Sequence, residues 1–336
     1  IAIGTSNTAS SQFSNVSGGQ SNTATTGTHA TVVGGQSNVS SGAYSVSGGF
    51  SNTASGNTST IGGGCNNTVS NYRSTISGGA CNLVTGSSSF VGGGLSNRVC
   101  GANFASILGG ESNVVSQIYG VINGGFQNSV TGYAGVVNGG VNNNATCHYA
   151  IVGNGKLNTA SNYYAVISGG CSNAASGNSS FIGGGRANRA TGTYSVVAGG
   201  FSNCAVGTNS FIGGGGNNRA IGESSTVLNG TENISCGQRT MSGGYKSIAC
   251  GGYAFAFGKY ACTLNEGGLA FGEQVKSCAN YAIAIGASNT ASGAYSVALG
   301  GGAFGTGNSV TGTQSSVLGG RLNSVSGNCS VIGGGN

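Results

Sequence analysis

The side chains able to do chemistry in this 336-residue chain are few, and their spacing argues against a catalytic centre. The acids are Glu111, Glu223, Glu232, Glu266 and Glu273, and there is no aspartate. The histidines are His29 and His148. Calcium-binding rolls repeat G-G-x-G-x-D because the Asp carboxylates hold the metal, so a chain without Asp cannot build that site. Zinc sites need paired ligands such as C-x-x-C, and none occurs among the 11 cysteines. Cys147-His148 is a lone adjacent pair. A nucleophile needs a separately placed base and an orienting group, so Cys147 is read as filling a corner otherwise held by Gly, with His148 exposed. The many G-x-G strings lack the strand-then-helix setting of a phosphate loop. These observations lead to an expectation of no enzymatic activity and no cofactor.

The elements carrying these residues follow from composition and repetition. Glycine contributes 70 residues, proline and tryptophan none, and only 5% of the chain is charged. Recurrent Val and Ile speak against disorder, and the missing proline and G-X-Y period exclude collagen. The net charge of +6 is thinly spread. Arg98, Arg189 and Arg219 share one repeat position; a sparse basic stripe would suit a polyanion, and the plainer reading is solubility without nucleic-acid binding. No apolar run approaches the roughly 18 residues of a membrane span. The chain begins and ends inside a repeat, which suggests part of a longer polypeptide.

Asparagines mark the period. They recur from Asn7 and Asn22 through Asn113, Asn128 and Asn143 to Asn233, mostly 15 apart, in a unit N-x-[AV]-x-G-x-x-S-x-[IV]-x-G-G-x-x. Within each unit the alternation has period two, a strand signal. Two residues after Asn lies Ala or Val, as at Ala54 and Val69. Nine residues after it lies Ile or Val, including Ile61, Ile76, Ile167, Ile182 and Ile212. Each unit therefore predicts two short strands separated by glycine corners, where positive φ is cheap for Gly or Asn. The fold class is all-β: a parallel β-solenoid of 14–16-residue turns. About 22 turns at ~4.8 Å each would give a rod on the order of 100 Å long. The Asn column is expected to face inward, with amides bonded from turn to turn.

Three sections are expected: 15-residue repeats over 1–244, 14-residue turns over 245–300 (YAFAFG, LAFG, YAIAIG, YSVALG), and a short insertion followed by 15-residue repeats over 301–336. Eight residues after the Asn, an outward column carries Phe90, Val121, Val136, Ile151, Val166, Phe181, Val196 and Phe211, interrupted by Thr60, Thr75 and Thr226. A long apolar stripe on an exposed sheet calls for a cover, and the simplest is another copy of the chain around a cyclic axis.

The segment YAIAIGASNTASGAYSVALG, residues 281–300, resembles the head repeats of YadA-type trimeric autotransporter adhesins, and the 15-residue form resembles related repeats in viral and phage fibres. That resemblance implies a left-handed parallel β-roll, a homotrimer, and a structural fibre or shaft displayed on a virion or cell surface. It implies attachment or adhesion through a glycan or other surface receptor. The cysteine content departs from exported adhesins. Scattered thiols suit assembly in a reducing compartment, and column neighbours such as Cys236 and Cys250 are expected to remain unbridged. The alternative is a monomeric binding solenoid such as an ice-binding protein, since some grass ice-binding proteins show similar half-turns; the candidate column runs Thr53, Thr68, Leu83, Arg98, Val114, Ser129, which is irregular. A polysaccharide-cleaving fibre enzyme ranks last for want of acids. Sequons occur at Asn15, Asn38, Asn57, Asn66, Asn144, Asn178, Asn229, Asn233 and Asn328. Of these Asn57 and Asn178 are expected in outward corners, and Asn38 and Asn233 inside.

Overall fold

A computed structural model describes residues 1–302 and 305–336. Among the described residues every regular element is a β-strand, and all strand pairing is parallel. The chain divides into two compact units, Ile1–Cys171 and Ser172–Asn336. Each is a β-solenoid with two strands per turn, so the expected all-β fold class holds in both.

One turn of the first unit shows the construction. The strand Ser129–Val130 pairs with Val114–Val115 and Asn144–Ala145, which lie one turn away on either side. The strand Val136–Val137 pairs with Val121–Ile122 and Ile151–Val152. Strands just after the Asn therefore make one sheet, and strands eight and nine residues after it make the other. Val115, Ile122, Val130, Val137 and Val152 have no solvent exposure, whereas Ser129 and Val136 face outward. The second unit repeats this arrangement, with Ala190, Ile182, Val197 and Ile212 inside.

A third contact goes beyond the two expected strands. Single-residue bridges link Phe50, Cys65, Ala80, Leu95, Glu111, Phe126, Val141 and Lys156, and in the second unit Arg186, Phe201, Gly216 and Thr231. Side-chain type varies freely along this column because the contact is made by the backbone.

The Asn column is buried as expected, but its bonding differs from a stack of amides. Asn128 Nδ2 donates to the carbonyls of Gly124 (3.0 Å) and Gly140 (2.9 Å), the first in its own turn and the second in the next. Its Oδ1 accepts the backbone N–H of Asn143 at 2.9 Å. The pattern repeats through the first unit, and in the second at Asn188, Asn203 and Asn218. Direct amide–amide bonds occur only at some rungs, such as Asn113 to Asn97. The side chain thus satisfies corner groups that the two-residue strands leave unpaired.

The second glycine of each G-G pair is required by this clamp. At Gly125, φ is +93°, and a Cβ would lie 2.2 Å from the Gly140 carbonyl oxygen and 2.6 Å from Asn128 Nδ2. At Gly124 a Cβ would meet nothing within 4 Å, which explains why Asn154 and Asn229 can stand at that position in other turns.

Glycine does not supply every corner. Two non-glycine residues in nearly every turn take a left-handed backbone, for example Tyr119 (φ 60°) and Gln127 (φ 54°). The expectation that positive φ belongs to Gly or Asn is therefore corrected. The stacked ladder over-determines these dihedrals, overriding a cost of about 1–2 kcal/mol per residue.

In the second unit, the 14-residue turns solve the corner differently. Met241–Tyr245, Phe255–Lys259, Leu269–Glu273 and Ile283–Ala287 are five-residue strands in continuous register. One residue fewer straightens the corner, so main-chain pairing satisfies it. The column position passes to Ser247, Ala261 and Val275, all buried, before Asn289 restores the amide. A register shift between Val227 and Gly230 marks the junction of the two turn types. The same shift occurs in the first unit between Val32 and Gly34, beside the 14-residue step from Asn38 to Asn52. Part of the expected insertion, residues 303–304, lies outside the described residues.

Replacing Asn128 by Ala strands the Asn143 N–H in the interior and leaves the half-buried Gly124 carbonyl without its donor. Each lost partner costs about 1–3 kcal/mol. The expected result is a stability loss of about 2–6 kcal/mol, with hydrogen exchange accelerated most in the turns on either side of residue 128. Equal acceleration along the whole chain would contradict nearest-neighbour stacking.

Candidate interaction faces

The chemistry-bearing side chains lie apart on the surface. Lys246 pairs with Glu232 at 3.4 Å and Lys259 with Glu273 at 2.8 Å, all substantially exposed. The Tyr281 hydroxyl donates a hydrogen bond to the Glu266 carboxylate, and this bond, with the carboxylate charge beside it, raises the Tyr281 pKa. Among the described residues no three His, Cys, Asp or Glu side chains gather as metal ligation requires. Cys147 is half-buried at a corner and His148 is exposed, as the spacing predicts. The His148 ring packs between Tyr133 (5.8 Å) and Tyr163 (5.0 Å).

The outward apolar column is real in each unit. In the first, Phe90, Val121, Val136 and Val166 are half-buried and Ile151 is 37% exposed. In the second, Phe181, Val196 and Phe211 stand in direct register, with Phe181 37% and Phe211 38% exposed.

The opposite sheet carries a mixed column. Thr53, Thr68, Leu83, Arg98, Val114 and Ser129 are successive partners in register. A regular threonine array, as ice recognition demands, is not present there. The arginines do not form a stripe either: Arg98 lies between Leu83 and Val114, and Cys204 separates Arg189 from Arg219.

A third feature, an aromatic corner, escaped the sequence reading. In the first unit His29 stacks between Phe13 (4.8 Å) and Tyr44 (4.6 Å). Phe104 stacks on Tyr119 (5.4 Å), and Tyr149 on Tyr164 with planes 2° apart. In the second unit Tyr281 stacks on Tyr295 at 5.3 Å. All these residues have left-handed φ. The signal that would have found them is the recurrence of Tyr six residues after the Asn.

Cys236 and Cys250 are joined as a disulfide, which corrects the expectation that they remain unbridged. Their Cα atoms are 4.6 Å apart, the spacing of adjacent turns and inside the roughly 4.4–6.8 Å that disulfides span. Cys65, Cys81, Cys100, Cys147, Cys204, Cys262, Cys278 and Cys329 are free thiols.

These faces and the coil beneath them define a repetitive β-solenoid. No known family model matches the chain, and comparison with curated proteins finds no match.

Asn57 and Asn178 are exposed in corners, whereas Asn38 and Asn233 have no solvent exposure. Expression through a glycosylating pathway should therefore place sugar on Asn57 or Asn178 and leave Asn38 and Asn233 bare. Glycopeptide mass spectrometry checks this, and sugar on Asn38 would contradict the buried clamp.

Proposed function

We propose that this chain forms part of a structural fibre, a homotrimer of solenoids that serves attachment or adhesion on a virion or cell surface. The observation that carries the reading is the outward apolar column. Phe181, Val196 and Phe211 lie side by side on a sheet face, and a contiguous apolar strip in solvent marks an association surface. A copy of the same chain supplies a matching strip at the same repeat spacing, so each turn meets an equivalent turn. Cyclic closure around three copies is what the resemblance of residues 281–300 to YadA-type head repeats implies. The low charge, the lack of clustered acids and the uniform repetition suit a structural role rather than catalysis.

Assembly in a reducing cytoplasm is part of this reading. The free thiols Cys65, Cys81, Cys100 and Cys147 are partly or fully exposed, a state that such a compartment preserves. The Cys236–Cys250 bridge would then close on exposure to an oxidising exterior.

Sedimentation velocity tests the assembly. The unmodified chain is expected to run as a trimer, and the double variant Phe181→Glu, Phe211→Glu as a monomer with unchanged circular dichroism. A wild-type monomer, or a trimer that survives both charges, would sink the proposal.

A further inference from the structure

Where two tyrosine rings lie face to face, one-electron oxidation can join them. Several ring stacks along the corner are mixed and cannot react in this way. His29 stands between Phe13 and Tyr44, Phe104 faces Tyr119, and His148 separates Tyr133 from Tyr163. Tyr149 and Tyr164 differ. Their ring centroids are 5.1 Å apart and their planes 2° from parallel. Both residues come six places after a column asparagine, Asn143 and Asn158, and both hold the same left-handed backbone, with φ 56° and 55°. Backbone bonds fix each in its turn: the Tyr149 N–H donates to the Tyr133 carbonyl at 2.8 Å, and the Tyr164 N–H to the His148 carbonyl at 3.1 Å. The ring separation is close to the ~4.8 Å step between neighbouring strands. One ring is therefore nearly the other displaced by a turn, and equivalent carbons face each other.

The pair is also accessible. Tyr149 is 42% exposed and Tyr164 55%, so an oxidant can reach both phenols. Each ring can pivot about a broad terminal torsion, which lets the carbons close the remaining gap while the backbone stays in its ladder. In the second unit Tyr281 and Tyr295 stack at 5.3 Å with planes 12° apart, but there the Tyr281 hydroxyl is tied to Glu266. Tyr133 meets Tyr149 edge-on, with planes at 77°, and so does not present its ring carbons in the same way.

We propose that Tyr149 and Tyr164 are an oxidative modification site, coupling to dityrosine between adjacent turns of one chain. The co-reactant is hydrogen peroxide, used through a haem peroxidase as one-electron carrier. Each phenol gives up one electron and one proton and becomes a phenoxyl radical. The two unpaired electrons form a bond between a Cε of one ring and a Cε of the other. The hydrogen displaced from each Cε moves to its own ring oxygen and restores the phenol. Two hydrogens leave in all, and one hydrogen peroxide takes them to become two waters. The new bond closes a loop in the chain between residues 149 and 164 and so restricts its unfolded states, which fastens two turns whose strands are only two residues long. The coupling lies within one chain and does not depend on trimer formation.

The test treats the full 336-residue chain with a haem peroxidase and hydrogen peroxide, in buffer and in concentrated urea. Trypsin cuts after Arg98, Lys156 and Arg186, so the coupling joins peptide 99–156 to peptide 157–186 with the loss of two hydrogens. Mass spectrometry should find this joined pair, with its fragments placing the bond at Tyr149 and Tyr164. It should come from protein that runs as a single chain on a denaturing gel. Tyr149→Phe and Tyr164→Phe should each abolish the pair, and Tyr163→Phe should leave its yield unchanged. Urea should remove it, because the rings are then no longer held together. Failure to find the pair in the folded chain, its persistence in Tyr164→Phe, an equal yield in urea, or its presence only between chains would each overturn the proposal.

Discussion

Everything in this molecule depends on how a sharply bent backbone hides its polar groups. A turn of 15 residues with two-residue strands leaves corner N–H and C=O groups that cannot pair with each other. The buried asparagine resolves this with one side chain, which donates to carbonyls in two successive turns and accepts the next turn's N–H. Buried polar groups are costly only when unpaired, and here the amide is paired on every side. Where the corner loses a residue, the strands lengthen and the amide becomes dispensable, so Ala261 and Val275 take its place. The two turn types are two answers to one problem of hydrogen-bond satisfaction.

The core inside these turns is narrow. Its largest side chains are isoleucine and valine, opposed by serine, alanine or glycine, so a single turn buries too little apolar surface to stand alone. Stability comes from stacking. Stacking also sustains the left-handed corner residues, and the aromatic side chains at many of them gain contact with their neighbours one turn away. Local strain and lateral packing are thus coupled, since the conformation that costs energy is the one that aligns the rings.

Much of this is legible in the sequence, for definite reasons. The inward positions tolerate few residue types, so Asn128, Val130 and Val137 recur in kind at fixed spacing and reveal turn length, strand number and facing. The bridge through Phe126 and Val141 leaves no such trace, because a backbone contact does not select a side chain. The aromatic corner did leave a trace in Tyr119, Tyr149 and Tyr164, but the usual preference of glycine for positive φ points away from it. The ~4.8 Å step between turns leaves room for pairing of Cys236 with Cys250, but a shared column does not fix how two side chains turn toward each other, which a disulfide requires.

The clamp also bears on how the molecule ages. Hydrolysis of an asparagine amide to a carboxylate requires its side-chain carbonyl to be reached by the backbone nitrogen of the following residue. At Asn128 that nitrogen, on Ser129, is already donating to the Asn143 carbonyl at 2.9 Å, and both amide atoms are engaged. A carboxylate formed there would have no proton to give Gly124 or Gly140, and would place a negative charge in a closed interior. Repeated down a column, such charges would stand one turn apart and repel. The same geometry that makes this change ruinous withholds the attacking atom, so the ladder shields its own amides from chemical decay, and the complete absence of aspartate from the chain fits a column in which a carboxylate has no place.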